Sequence, residues 1–236
     1  MKKEMVFASF GLYPEQITLE TLAALRKCRK VYITSATRAR SALLRSLLPG
    51  AEILTGLSFE TLVARTAGAL PEHGKVGVLD YGDPAFLCAF SSRLKEECLR
   101  MKAGFRTLRA VSSLNSLIAD LGLGELAPAG LFLATAHSWE GPGRSVNTSA
   151  PVLIFSPDRA RLGGDRQGLF ARIAQDLRAA YPAGHPVYFV KCAAAPGEKT
   201  RIKKARISDL GAGLRKLDFD STMFIPAAGK NACRRK

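Results

Sequence analysis

The sequence predicts an α/β protein with an open sheet, and three observations carry this prediction. Short apolar runs alternate with segments whose apolar residues recur at helical spacing, which is typical of an open α/β sheet. The run at 76–79 is too short for a buried helix and is bounded by turn residues, which favours a buried parallel strand. The chain has 236 residues and 47% hydrophobic content, enough for one large domain or two small ones.

The first half of the chain is expected to alternate regularly between strands and helices. The helix at 18–28 carries basic residues at its C-terminal end, which suits the helix dipole, and the helix at 38–48 stops at Pro49-Gly50. Ser112 or Ser113 can cap a helix that runs to about residue 121. The other expected elements are strands at 5–10, 31–33, 51–54, 76–79 and 104–108, and helices at 59–70 and 84–101.

The chain is organised around the turn that follows the strand at 76–79, which reads Asp80-Tyr81-Gly82-Asp83-Pro84. Gly82 can take a positive φ or let a ligand approach the backbone closely. Asp83 is expected to be a helix N-cap and Pro84 the first helical residue. Ligands of open parallel sheets bind at this carboxyl edge, so the turn is a candidate binding site. A capped turn without a ligand is the alternative.

The second half predicts a further α/β unit. We expect an N-terminal domain at 1–121, a linker at 122–130, a C-terminal domain at 131–228 and a basic, disordered tail at 229–236. The polar loop at 136–150 is expected to be functional or mobile rather than packed. The expected elements are strands at 131–135, 151–155, 186–191, 201–206 and 222–225, and helices at 167–180 and 207–214.

Charge and cysteine usage narrow the class of protein. A net charge of +15 and a pI of about 10.0 favour an anionic partner, and nucleic acid is possible, although the dispersed cations favour a solvated basic surface over an RNA groove. Five cysteines without C-x-x-C spacing, and three scattered histidines, give no support for a metal site or a disulfide framework. The N-terminal apolar run is too short for a signal peptide or a membrane span, so a cytoplasmic protein is expected.

The common nucleotide and hydrolase motifs are absent from the sequence. There is no G-x-G-x-x-G or Walker-type loop, and there is no G-x-S-x-G turn.

The chain does resemble the tetrapyrrole methylases, two-domain S-adenosylmethionine-dependent methyltransferases, over roughly residues 5–227. Four segments carry the resemblance in the right order and spacing. They are the opening Ile17-Thr18-Leu19-Glu20 helix start, Gly82-Asp83-Pro84, Val111-Ser112-Ser113, and a C-terminal series of Pro196-Gly197-Glu198, Ile207-Ser208-Asp209-Leu210 and Ser221-Thr222-Met223-Phe224-Ile225.

The resemblance implies a fold of two α/β domains with the ligand cleft between them, S-adenosylmethionine as cofactor with S-adenosylhomocysteine as product, and a homodimer. The first domain would contact the donor through two loops, and the second through two strand ends. The implied cofactor-binding residues are Gly82, Asp83, Phe86, Leu87, Ser112, Ser113, Phe155, Ser156, Cys192 and Ala193. Strand-end packing for Phe155 and Cys192, and helix capping for the two serines, are the structural alternatives.

The acceptor side departs from the family pattern. Phe10-Gly11-Leu12-Tyr13-Pro14-Glu15 stands where the family usually has G-x-G-P-G-D, and Ala110-Val111 replaces Pro-Gly. The catalytic candidates are Tyr13 in the altered first loop, Tyr81 before Gly82, and His137 in the polar loop, where a histidine could serve a proton transfer near neutral pH. Arg38, Arg40 and Arg106 are candidates for pairing with acceptor carboxylates or phosphates, although a packed or solvated role is open for each of these side chains.

The leading hypothesis is therefore a methyltransferase acting on a tetrapyrrole or a related anionic small molecule. Methyl transfer to RNA or to a peptide is the second hypothesis, although the region 59–66 lacks the tyrosine typical of the backbone-amide methylating relatives. A non-catalytic module that binds S-adenosylmethionine is the third. No membrane partner is expected.

Overall fold

The computed structural model describes residues 3–35, 38–125, 130–139, 146–155, 166–213 and 221–228. The chain divides into two compact units, one comprising Met1–Ser116 with Ala194–Glu198 and the other Leu117–Ala193 with Lys199–Lys236. Each unit contains a five-stranded sheet, so the predicted α/β fold is confirmed. The domain boundaries at 121 and 131 stay predictions. The tail at 229–236 and residues 126–129 of the expected linker lie outside the described residues.

The first unit is a parallel sheet with strand order β3-β2-β4-β1-β5. Its strands pair in parallel throughout, with β4 between β2 and β1. The strands are β1 (Glu4–Ser9), β2 (Lys30–Ile33), β3 (Glu52–Ile53), β4 (Lys75–Asp80) and β5 (Gly104–Thr107). The helices are α1 (Leu19–Leu25), α2 (Arg38–Leu47), α3 (Phe59–Gly68), α4 (Leu70–His73), α5 (Ala89–Arg100) and α6 (Ser113–Asp120), the last of which crosses into the second unit.

Helices cover both faces of this sheet. Alternate residues of β1 enter different cores: Val6 and Ala8 pack with α1 and α2, whereas Met5 and Phe7 pack with α3, α4 and α5. Five of the six residues of β4 are buried, as the prediction of a central parallel strand requires. The sheet is therefore rigidly held between two helical layers, and its carboxyl edge is where the loops emerge.

Gly77 lies in β4 where α1 packs closest to the sheet. A Cβ at this position would lie 2.7 Å from Leu25 Cδ2 and 3.2 Å from Cys28 Sγ, and Leu25 is fully buried, so the core around it has to shift. We expect Gly77→Ala to lower the free energy of unfolding by about 1–3 kcal/mol through overpacking, measured by urea denaturation. Gly104→Ala in β5 is the control, because its Cβ would meet no atom closer than 3.6 Å. Equal stabilities of the two variants would contradict this packing.

The second unit is a mixed sheet with order β6-β7-β10-β8-β9. Among its described strands, β6 and β7 pair in parallel, and the other neighbours pair antiparallel. One face packs on α7 and on the segment around Ile207 and Leu210. The elements are β6 (Phe132–Thr135), β7 (Val152–Phe155), α7 (Arg166–Ala180), β8 (Pro186–Lys191), β9 (Arg201–Arg206), α8 (Leu210–Gly213) and β10 (Thr222–Ile225).

The start of the polar loop at 136–150 corrects one expectation. Ala136–Trp139 forms a 3-10 helix, and the indole of Trp139 is buried in the core of the second unit together with Ala136. This part of the loop is packed, because burial of a large aromatic side chain is strongly favourable. Residues 140–145 lie outside the described part of the chain.

Buried thiols make the stability of the fold sensitive to alkaline pH. Burial raises the pKa of Cys28, Cys98 and Cys192 to about 11 from an ordinary value of 9.0. The unfolded chain loses these protons first, so the stability that they contribute is present below about pH 9 and is lost as the pH rises through 11. We expect the free energy of unfolding to fall between about pH 9 and pH 11, and to fall less in Cys98→Ala. An unchanged fall in that variant would contradict the assignment for Cys98.

Among the described residues, no helix is long and apolar enough to cross a membrane.

Candidate functional site

The loops that leave β1 and β4 meet at the carboxyl edge of the first sheet. The backbone N–H of Gly82 donates to the carbonyl oxygen of Gly11 at 2.9 Å, and the N–H of Phe10 donates to the carbonyl oxygen of Asp80 at 3.0 Å. Both glycines have a positive φ, +83° for Gly11 and +79° for Gly82, and residues with a Cβ rarely adopt this backbone conformation. The two loops are thereby fixed to each other through backbone bonds.

The two glycines serve different purposes at this edge. A Cβ on Gly11 would lie 2.5 Å from Gln16 Oε1, which itself accepts a hydrogen bond from the Leu12 N–H at 2.7 Å. A Cβ on Gly82 would have no heavy atom of the described residues within 4 Å, its chain neighbours aside. Gly11 is therefore required by internal packing. Gly82 leaves its Cα face open, as a ligand approaching the backbone needs.

Asp83 ties this turn to a third loop, and the expected N-cap role was wrong. Its Oδ1 accepts from the Ala85 N–H at 2.7 Å, and its Oδ2 accepts from the Ala110 N–H at 3.0 Å. The helix α5 begins five residues later than Pro84, at Ala89, with Cys88 as its N-cap. The left-handed backbone of Leu87, with φ 52°, separates the turn from the helix. Asp83 thus caps a turn and connects it to the loop after β5.

That third loop carries the two predicted serines. Ser112 is buried, and its Oγ accepts from the Asn115 N–H at 3.2 Å while donating to Asn115 Oδ1 at 2.6 Å. Ser112 is therefore the cap of α6, and Ser113 is the first residue of that helix. The helix-capping prediction for Ser112 is confirmed, while its contact with a donor stays a proposal. Ala110, which follows β5, lies beside the carboxylate of Asp83.

The other two donor candidates of this turn differ in exposure. The Phe86 N–H donates to the Asp83 carbonyl oxygen at 3.1 Å, and its side chain is half-buried. The side chain of Leu87 is 52% exposed, although leucine usually buries its side chain. An exposed apolar residue beside an open backbone suits a ligand with an apolar surface.

Two of the three catalytic candidates lie at this edge. Tyr13 precedes the 3-10 helix Pro14–Gln16, and its carbonyl oxygen accepts from the Gln16 N–H at 3.0 Å. Tyr81 packs edge-on against Phe10, with ring centroids 6.2 Å apart. His137 is in the 3-10 helix Ala136–Trp139 of the second unit, and its side chain is outside the described part of the chain.

The candidates of the second unit lie at the ends of its strands. Phe155 ends β7 and is buried, Cys192 and Ala193 follow β8 and are half-buried, and Ser156 lies outside the described residues. The Ala193 N–H donates to Thr200 Oγ1 at 3.4 Å, and Thr200 in turn donates to Asp120 Oδ2. This Thr200–Asp120 pair has no signature in the sequence.

The thiol of Cys192 stays protonated near neutral pH. Burial raises its pKa to about 11, and the nearby Asp120 carboxylate acts in the same direction. A neutral thiol is a small apolar surface and a poor nucleophile. Cys192 is therefore suited to lining a binding site rather than to covalent catalysis.

Within the described ranges, no group of three or more histidine, cysteine, aspartate or glutamate side chains is arranged to hold a metal ion. What this edge offers is backbone held in place by hydrogen bonds, an open glycine and neighbouring hydroxyl and aromatic groups. Such a surface binds and orients a ligand more readily than it supplies a strong acid or base.

The fold is that of solved methyltransferases. Uroporphyrin-III C-methyltransferase from Thermus thermophilus has a TM-score of 0.68 and 21% identity, over 96% of this chain and 93% of its own. A cobalt precorrin-4 methyltransferase of cobalamin biosynthesis has a TM-score of 0.68 and 19% identity, over 94% of each chain. The Thermus enzyme complexed with S-adenosylhomocysteine has a TM-score of 0.64 and 22% identity, over 94% of this chain and 97% of its own. No curated protein sequence matches the chain significantly.

The family is shown by sequence. The model of the family described as Tetrapyrrole (Corrin/Porphyrin) Methylases matches residues 6–210. Because the match covers well over half of the chain, the protein belongs to the tetrapyrrole methylases. The predicted family is thus confirmed, and with it the class of methyltransferase and S-adenosylmethionine as the methyl donor of the family.

Proposed function

We propose that this methyltransferase acts on a tetrapyrrole or a related anionic small molecule and binds its methyl donor at the carboxyl edge of the first sheet. The observation that carries the proposal is the open backbone of Gly82, fixed through Gly11 and through the Asp83 carboxylate. A donor with an adenosine and an amino-acid end can bond to exposed backbone groups and pack on apolar side chains. Gly82, Asp83, Phe86, Leu87, Ser112 and Ser113 are the proposed contacts of this unit.

On the basis of the family resemblance, we also propose that residues of the second unit contact the methyl donor. They are Phe155, Ser156, Cys192 and Ala193. The support for Cys192 and Phe155 is their position at strand ends and their burial, which make them apolar surfaces. A homodimer and a cytoplasmic location are further proposals. The family resemblance supports the homodimer, and the cytoplasmic location is supported by the four described cysteines, which form no disulfide with one another and suit a reducing compartment.

Methyl transfer mainly requires the protein to position the methyl donor and the acceptor. When bound, S-adenosylmethionine supplies a methyl group activated by a positively charged sulfur. The acceptor atom forms the new bond to carbon as the sulfur–carbon bond breaks, and the acceptor loses a proton if it carried one. In-line positioning accounts for a large part of such a rate. Tyr13, Tyr81 and His137 are the proposed groups for proton transfer, with Tyr81 best supported because it adjoins Gly82.

The experiment that tests the proposal is incubation of the purified protein with methyl-labelled donor and three separate acceptor pools. We expect label in a reduced polycarboxylate porphyrin and none in total RNA or in a peptide pool. Label in RNA, with a steep salt dependence of binding, would replace the acceptor with nucleic acid. Label in peptides would replace it with protein. Donor binding with no labelled product in any pool or in cell extract would identify a non-catalytic binding module.

A further inference from the structure

The guanidinium of Arg40 lies beside the turn that carries Gly82. Its Cζ is 5.6 Å from the centroid of the Tyr81 ring, within cation–π range. Its Nη2 donates to the carbonyl oxygen of Ala194 at 3.2 Å, a residue of the 194–198 segment that belongs to the same unit. The ring and the carbonyl together restrict the orientation of the guanidinium. The side chain is half-buried.

Arg40 differs in its contacts from Arg65, Arg100 and Arg106 of the same unit. Arg65 pairs with Glu52 at 2.5 Å, Arg100 with Glu97 at 2.8 Å and Arg106 with Glu20 at 3.0 Å. No ion pair between described residues includes Arg40. A guanidinium has five N–H donors in a fork that matches a carboxylate, and the hydrogen bond to Ala194 uses one of them among the described residues.

Helix stability does not account for this arginine. It occupies the first turn of α2, which contains no acidic residue, and a cation near a helix N-terminus is unfavourable. A residue that breaks a local rule without a compensating ion pair is often retained for function.

We propose that Arg40 is the specificity residue that binds a carboxylate of the methyl acceptor. The Tyr81 ring and the Ala194 carbonyl orient the fork, and the remaining N–H groups receive the anionic group of the acceptor in bidentate fashion. This inference rests on the proposed function and adds to it the group that selects polycarboxylate acceptors. Arg106, which was an equal candidate from the sequence, is already engaged by Glu20.

The test compares binding of two probes to Arg40→Gln, Arg40→Lys and the wild type. Uroporphyrin III, followed by its absorbance, is the polycarboxylate probe, and S-adenosylhomocysteine, followed by calorimetry, is the donor probe. We expect Arg40→Gln to weaken porphyrin binding by about tenfold to a hundredfold, the size of a charge-assisted pair. The porphyrin affinity of Arg40→Lys should lie between those of Arg40→Gln and the wild type, because lysine keeps the charge and loses the planar fork of N–H donors. Donor affinity should stay within about twofold.

Arg106→Gln is the matched control, because it removes an equal charge from the same unit, and its porphyrin affinity should stay near that of the wild type. Equal losses in the two arginine variants would show a general charge effect and overturn the proposal. A loss of S-adenosylhomocysteine binding in Arg40→Gln that parallels the loss of porphyrin binding would overturn it too. If the wild type methylates the porphyrin and Arg40→Gln does so with unchanged KM, the proposed function stands and this inference fails.

Discussion

Gly82→Ala is expected to lose affinity for S-adenosylhomocysteine by about tenfold to a hundredfold, corresponding to about 1–3 kcal/mol of steric cost in the bound state. Apart from its chain neighbours, no heavy atom of the described residues lies within 4 Å of the added methyl, so the clash that we expect is with the proposed ligand. The variant also loses about 1–2 kcal/mol of stability, because alanine is strained at φ +79°. Calorimetry and urea denaturation measure the two effects separately.

Gly50→Ala separates the ligand effect from the backbone effect. Gly50 has φ +87°, and a Cβ there also meets nothing within 4 Å. It lies between α2 and β3, at the opposite edge of the parallel sheet. This control should lose similar stability and keep full donor affinity. Equal donor affinities in the Gly82 and Gly50 variants would remove Gly82 from the donor site.

Asp83→Ala is expected to lower methyl transfer by about a hundredfold, as a small misplacement of a binding loop can do. The carboxylate is the acceptor for both the Ala85 and the Ala110 N–H groups, so its loss frees the turn from the loop after β5. Stability should fall by about 1–3 kcal/mol. Initial rates with labelled donor, measured well below the melting temperature, give the effect on transfer.

Asp83→Asn is an intermediate variant, because it loses only one of the two hydrogen bonds. Its amide oxygen can still accept from one backbone N–H, whereas its NH2 group cannot accept from the other. Its rate should therefore fall between those of the wild type and Asp83→Ala. Ser46→Ala is a control, because the Ser46 hydroxyl donates only to the Leu43 carbonyl oxygen within α2. If Asp83→Asn and Asp83→Ala both retain full rates of methyl transfer while their stabilities fall, the carboxylate stabilises the fold and does not contribute to methyl transfer.

Much of the first sheet could be predicted because its signals are local. The apolar run at 76–79 between turn residues predicts β4, and the capping pattern of Ser112 predicts the start of α6. Both depend on residues close together in sequence. The same holds for the Gly-Asp-Pro turn, whose position at the carboxyl edge follows from any parallel strand.

The detail of that turn could not be predicted from the same signals. Asp83 followed by Pro84 is a common helix start, yet Leu87 takes a left-handed conformation and α5 begins only at Ala89. The partner that decides the role of Asp83 is Ala110, which is distant in sequence. Local propensity favours a helix that begins at Pro84, whereas the structure has a turn that is hydrogen-bonded to Ala110.

Contacts between side chains of different helices and strands could not be predicted from the sequence either. Arg38, Arg40 and Arg106 were equivalent candidates, and only the structure shows Arg106 paired with Glu20 and Arg40 lying over Tyr81. Trp139 shows the converse case, because a polar sequence around it predicts a loop while its ring is buried. Burial of one large side chain depends on the core that it meets, which no local pattern describes.

The central claim is that the methyl donor binds against the backbone of Gly82 at the carboxyl edge of the first sheet. A crystal structure of the protein with S-adenosylhomocysteine tests it most directly. The account predicts ligand density in contact with the 82–83 backbone and with the loop that carries Ser112. Density elsewhere, or no binding at millimolar ligand, would contradict it.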